Sequence, residues 1–204
     1  MATMIKRLAF AFAVCTCVVV VAAPAGSAAR AGLLTCRANQ YPFAQFGDKD
    51  AFFGFSNNGF ESGTSGWSLS GASVTTGNEP WDVNGPGSNS LSIGPGGTAS
   101  SPRVCTALLA PYWRMFAKSN AANGPLRAQI VFYGLLGNVT GLLNVTNFDS
   151  SGYVNWEPSS NVPSLLSLPL LTVSAQLRLT NTGSSGTWQV DDVFVDPWGS
   201  RSAA

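Results

Sequence analysis

Two stretches of the chain alternate apolar and polar residues with a period of two. Leu126, Ala128, Ile130 and Phe132 interleave with Arg127, Gln129, Val131 and Tyr133, and Val173, Ala175, Leu177 and Leu179 interleave with Ser174, Gln176, Arg178 and Thr180. Successive side chains of a strand point to opposite faces, so each stretch predicts a strand with one face on a core. Shorter candidate strands lie at 51–55, 67–76, 90–93, 98–103, 112–118, 139–145, 153–156 and 187–195. Between them, segments rich in Gly, Asn and Ser at 58–59, 63–66, 77–87, 94–97, 120–125 and 181–186 carry turn chemistry. Downstream of the N-terminus no helical period and no internal repeat is visible. Many short strands at this spacing predict a single all-β sandwich.

The last candidate strand slips in parity. Trp188 and Val190 share one face, whereas Val193 and Val195 fall on the other. Either a bulge at Asp191 and Asp192 restores a single buried face, or the strand is central and buried on both faces. The segment 162–171, with Pro163 and Pro169 among leucines, reads as a hydrophobic connection across one end of the sandwich.

The N-terminus follows a different logic. Lys6 and Arg7 precede an apolar run at 8–23, and Pro24, Gly26 and Ser27 lie among alanines behind it. That order predicts a signal peptide over 1–29, cleaved after Ala29 or Ala31, and hence an extracellular protein. The apolar run is short for a membrane span, for which about 20 residues are needed. Cys15 and Cys17 lie inside it without a lipoprotein processing box and leave with it. The expected layout is then an N-terminal arm at 30–50, a sandwich domain at 51–198 and a C-terminal tail at 199–204.

Export changes the reading of the remaining cysteines. Cys36 and Cys105 would be the only thiols of the mature chain, and one disulfide between them is expected, tying the arm to the domain. Losing Lys6 and Arg7 brings the basic residues to nine against ten acidic ones, and charged residues make up only 10% of the chain. Without a basic stripe, neither nucleic acid nor a membrane surface is an expected partner once the signal is gone. The chain contains no histidine, which removes the usual general base and the commonest zinc ligand. Sugar hydrolysis needs only two carboxylates and is not excluded by inventory. The sequons at Asn138 and Asn144 would matter only in a eukaryotic secretory pathway.

Two segments carry a family resemblance: Asn57-Asn58-Gly59-Phe60-Glu61 leading to Trp67, and 188–196, which reads Trp-Gln-Val-Asp-Asp-Val-Phe-Val-Asp. They resemble the first and last strands of the galactose-binding-like jelly-roll β-sandwiches, a fold shared by several carbohydrate-binding module families. With Cys36, Gly47-Asp48, Gly77-Asn78-Glu79-Pro80-Trp81, Ser101-Pro102, Cys105 and Trp156, the layout is also similar to a group of small secreted proteins from bacteria with GC-rich genomes. That group implies a layout and no activity. The jelly-roll resemblance implies two antiparallel sheets and a shared calcium ion, held by Glu61 and Asp191 with Asp192 as the alternate. Turn capping or solvent exposure would employ the same carboxylates equally well.

Binding to sugar calls for aromatic platforms flanked by amides or charges. Trp81, in the polar loop with Asn78 and Glu79, and Trp156, close to Tyr153, are the candidate platform; a core plug or loop anchor is the competing role of each. Arg127, Gln129, Gln176 and Arg178 could line one concave sheet, or simply form a solvated face. The sequence therefore points to a secreted, non-catalytic carbohydrate-binding sandwich, with extracellular polysaccharide or cell-wall glycan as partner. The alternatives are a structural or protein-interaction component of the bacterial envelope and, behind it, a glycan-active enzyme.

Overall fold

The computed structural model describes residues 38–105, 112–163 and 172–196, all within the unit Ala31–Ala204. The signal segment, the C-terminal tail, Cys36 and residues 164–171 of the connection expected at 162–171 lie outside the described residues, and the first two residues of that connection, Val162–Pro163, are a short strand instead. Among the described residues eleven strands follow one another: β1 (Phe53–Gly54), β2 (Ser68–Thr76), β3 (Asn89–Ser100), β4 (Val104–Cys105), β5 (Tyr112–Asn120), β6 (Leu126–Gly134), β7 (Val139–Phe148), β8 (Glu157–Pro158), β9 (Val162–Pro163), β10 (Thr172–Asn181) and β11 (Thr187–Asp196). All named strands pair antiparallel, and the described residues contain no α-helix. The all-β jelly-roll sandwich is therefore the fold.

The two clearest alternations become β6 and β10, which pair from Leu126 opposite Asn181 to Gly134 opposite Thr172. Their apolar parity is buried as expected: Leu126, Ala128, Ile130, Phe132, Ala175, Leu177 and Leu179 belong to the main core. The same core takes Trp113, Met115 and Ala117 from β5 and Trp188, Val190, Val193 and Val195 from β11. One curled sheet thus supplies both layers of the sandwich.

The corner between the layers is made by β2 and β3. Positions 94–97, expected as a turn between two strands, instead lie inside the single strand β3. Its first half, at Leu91 to Ile93, pairs with β11, and its second half, at Thr98 to Ser100, pairs with β10. A strand that changes sheets must bend sharply, and glycine permits this. Gly71 of β2 sits at φ 61°, and a Cβ on Gly97 would lie only 2.3 Å from the Gly71 carbonyl oxygen. Consecutive glycines at such a corner resemble a hairpin turn in sequence.

Both readings of the last strand hold together. The β11–β5 register shifts between Asp191 and Phe194, and Asp192 adopts φ 45°. The bulge returns Val193 and Val195 to the main core beside Trp188 and Val190. The opposite face is buried as well, because Phe194 and Phe116 pack there with Phe43 from the arm and with Phe52. Two further expectations are corrected. Residues 153–156 form no strand: the Asp149 side chain accepts from Ser151 N and starts a 3-10 turn over Ser150–Tyr153. The candidate at 51–55 shrinks to Phe53–Gly54, since Phe52 bridges to Gln40 instead.

Within the described residues, packing and one ion pair hold residues 38–52 to the sandwich. Arg114 donates to Asp48 Oδ2 at 2.7 Å and to the Ser159 carbonyl at 2.9 Å, and its guanidinium lies 4.2 Å from the Phe43 ring centroid. Removing one partner of such a mostly buried pair strands the other charge. Asp48→Ala should lower stability by roughly 2–3 kcal/mol, below the fully buried range because both groups keep some solvent. Limited proteolysis should then cleave the arm faster than the wild-type arm; unchanged cleavage and melting would show that the pair does not hold it.

Candidate functional site

The loop at 77–87 is anchored by its own acid. Glu79 is buried; its Oε1 accepts from Val83 N at 2.8 Å, its Oε2 accepts from Trp81 N, and its own N–H donates to Asp191 Oδ2 at 3.1 Å. Asp191 also accepts from Asp192 N at 2.9 Å. Asp192 hydrogen-bonds with the side chains of Glu79 and Asn84. Burial pushes the Asp191 carboxyl up to about 9, helped by the neighbouring charge of Asp192. Burial also raises Asp192, to about 7, with Glu79 the next cause. Glu79 is thus a structural acid that closes the loop onto the β11 bulge.

The carboxylates assigned to calcium by resemblance are differently engaged. Glu61 accepts from Ser88 N, Asn89 N, Asn89 Nδ2 and Ser88 Oγ at 2.8–3.3 Å. Slight burial raises the Glu61 carboxyl, but these four donors outweigh it and hold its pKa below the ordinary value. The acid beside Asp191 and Asp192 is Glu79, and its oxygens already accept backbone N–H groups. Calcium wants six to eight oxygen ligands, and no group of three or more ligating acids, cysteines or histidines suited to a metal occurs among the described residues. The residues do not fit the implied cage. Thermal melts in millimolar calcium and in chelator should therefore coincide, whereas a rise in Tm with calcium would restore the ion.

The loop aromatics divide between two clusters. Trp81 and Trp156 are both half-buried against the arm cluster of Phe43, Phe52, Phe116 and Phe194, so the structure brings them to one surface. Trp81 meets Phe46 edge-on with centroids 4.9 Å apart and Phe116 at 5.2 Å. Much of its ring is therefore occupied. Asn78 donates to Asp82 Oδ1 and to the Glu79 carbonyl, which makes it a turn residue. Tyr153 does not join this surface: it packs on Phe148 and Trp188 in the main core, and burial raises its phenol despite a backbone hydrogen bond with Ser160.

A second surface is better furnished. Residues paired directly across antiparallel strands share a face, and the register of β7, β6, β10 and β3 aligns one polar face across four strands. Asn144, Gln129, Arg178 and Ser100 form one cross-strand row; Leu142, Val131 and Gln176 form the next. A third row holds Val139, Tyr133 and Ser174. Gln129 donates to Asn144 at 2.6 Å, and the Tyr133 hydroxyl donates to Gln176 Oε1 at 2.7 Å. Val131 and Tyr133 are buried yet belong to neither hydrophobic cluster, so they form an apolar floor between amides. Arg103 lies over the Tyr133 ring, 3.6 Å from its centroid. Sequence parity identifies Arg127, Gln129, Gln176 and Arg178 on this face. Tyr133 stands on the same parity but reads as a strand residue, and Asn144 is placed only by the β6–β7 register, which shifts twice.

No protein-family model and no curated protein sequence matches the chain. Among solved structures it is similar to the enzymatically active domain of bacteriophage CBA120 tailspike protein 4, at 20% identity and TM-score 0.52, covering 70% of this chain and 21% of that one. It is also similar to the N-terminal CBM22-1–CBM22-2 tandem domain of Paenibacillus barcinonensis Xyn10C, at 16% identity and TM-score 0.51, covering 76% and 48%. The chain thus spans less than half of either structure, and both likenesses concern the fold.

Proposed function

We propose that the protein is an exported, non-catalytic sandwich that binds carbohydrate on the outward face of β7, β6 and β10. The observation that carries this reading is the face itself, where the accessible amides of Asn144 and Gln176 and the exposed Leu142 stand over a buried floor of Gln129, Val131 and Tyr133. Sugars present apolar C–H faces and directional hydroxyls, which such a floor and such amides complement. The fold likeness to a tandem of carbohydrate-binding modules supports it. The non-catalytic part rests on Glu79, Asp191 and Asp192: the clustered carboxylates are sealed from solvent and could not reach a glycosidic bond. Affinity electrophoresis in a panel of polysaccharides tests the reading. Retardation by at least one, weakened by Tyr133→Ala and by Gln129→Ala but not by Trp156→Ala, supports the face; no retardation by any would end it.

A protein-interaction role is favoured by one observation. Leu135, Leu136, Val139 and Leu142 are exposed on and beside β7, the edge strand of its layer, and β7 carries no charge. Unprotected edges invite pairing. A dimer on size exclusion that Leu142→Lys dissolves would favour this role; a monomer at all concentrations would remove it.

Export and the disulfide between Cys36 and Cys105 are part of the same proposal. Denatured protein recovered from culture medium should titrate no free thiol. Two titratable thiols would overturn the bridge.

A further inference from the structure

We infer that the outward face of β6 and β10 takes an acidic glycan, a polysaccharide chain bearing uronate carboxylates, rather than a neutral one; this rests on the reading of that face as the glycan site. Three guanidinium groups stand on or beside it, from Arg103, Arg127 and Arg178, and strands β2, β3, β4, β6, β7 and β10 contain no Asp or Glu. The acids of this nearly neutral chain are placed elsewhere, so the charge is asymmetric by position rather than by total.

Among the described residues these arginines have no anionic partner. The ion pair among the described residues is Arg114–Asp48, and none involves Arg103, Arg127 or Arg178. The Nε–H of Arg127 is buried without a hydrogen-bond partner. A buried charged donor left unmade is costly, and turning the half-buried guanidinium outward onto a carboxylate would satisfy it. Thr180 lies opposite Arg127 and Gln129 opposite Arg178, so the two arginines are diagonal neighbours on adjacent strands. Such positions are separated by about 7–8 Å. Tyr133, with Arg103 over it, lies four positions along β6 from Gln129, or roughly 13 Å at the rise of a strand. Positive groups spread over that length suit a chain with repeated carboxylates better than one small anion. Guanidinium forks pair with carboxylates through two parallel hydrogen bonds. A polynucleotide would also bring anions, but it needs aromatic platforms for its bases. The face has one aromatic ring, and Arg103 covers it.

The test uses the intact secreted protein with two probes of the same backbone, polygalacturonate and its fully methyl-esterified form. Affinity electrophoresis at low salt should show at least about tenfold tighter binding to the acidic polymer, and the gap should narrow as salt screens it. The double variant Arg127→Gln with Arg178→Gln should reduce that preference to within about threefold while melting as a folded protein. If the double variant fails to fold, exposed Arg103→Gln alone should still weaken binding to the acidic polymer selectively. Equal binding of the two polymers by the wild type would overturn the inference and leave the sheet face standing as a neutral-glycan site. An undiminished preference in the folded variants, or equally tight binding of a single-stranded polynucleotide, would also overturn it. Binding to no glycan at all would remove the underlying reading as well.

Discussion

Trp188→Ala is expected to lower stability by about 3–5 kcal/mol, the range for deleting a large aromatic from a core. Trp188 is fully buried at the contact between the two layers, stacks obliquely on Tyr153 with centroids 5.6 Å apart, and donates from Nε1 to the Gly124 carbonyl at 3.0 Å. Its loss leaves a cavity and an unsatisfied carbonyl in the 120–125 turn. For a domain of this size, each kcal/mol moves Tm by about 2–4 °C, so Tm should fall by roughly 6–20 °C. Trp156→Ala, on a half-buried ring at the surface of the arm cluster, should lower Tm by only about a third as much. Equal losses from the two variants would place Trp156 in a core that the structure does not give it.

The second large effect concerns pH. Burial pushes the Asp191 and Asp192 carboxyls of the folded protein up to about 9 and about 7, well above the 3.8 of an exposed aspartate. A carboxyl whose pKa is raised by folding binds more protons folded than unfolded, so its contribution is fully present below the unfolded value and lost as pH rises through the folded one. Stability should therefore fall from about pH 4 upward, with Asp192 responsible for the loss near neutrality and Asp191 for the loss at higher pH. Asp192→Asn keeps the shape, keeps a donor toward Glu79, and suits φ 45°, since Asn tolerates left-handed backbone. At pH 8 this variant should exceed the wild type by roughly 2–4 kcal/mol, and at pH 4 the two should melt alike. Melts across pH in chelator decide the matter. A wild-type curve that stays flat from pH 5 to pH 8 would mean that the cluster is neutralised by something other than protons.

The contrast between β11 and β3 explains how far residue order leads. Trp188, Val190, Val193 and Val195 reveal their bulge because all four are apolar and must reach one core, and a parity slip is visible over ten residues. The corner of β3 is hidden, because Gly94, Pro95, Gly96 and Gly97 carry the same local chemistry whether the chain reverses or merely changes sheets. Only the partners of its two halves, β11 and β10, distinguish the outcomes. The surroundings of the candidate site residues are hidden in the sequence for a related reason. Glu79 reads as a polar loop residue beside Trp81, but its role depends on Asp191, 112 residues away, and on a bulge that aims Asp192 at the loop. Tyr153 sits three residues from Trp156, yet a 3-10 turn sends the two rings to different clusters. By contrast, the polar parity of β6 and β10 identifies Arg127, Gln129, Gln176 and Arg178 directly, because register in a hydrogen-bonded ladder preserves which residues share a face.

Backbone amide chemical shifts, followed while an oligosaccharide that retards the protein is titrated in, locate the ligand most directly. Perturbations should concentrate in β6, β10 and β7, with the side-chain amides of Gln129, Asn144 and Gln176 among the largest. Perturbations confined to the 77–87 loop and the neighbourhood of Trp156, with the sheet face unmoved, would contradict carbohydrate binding on that face.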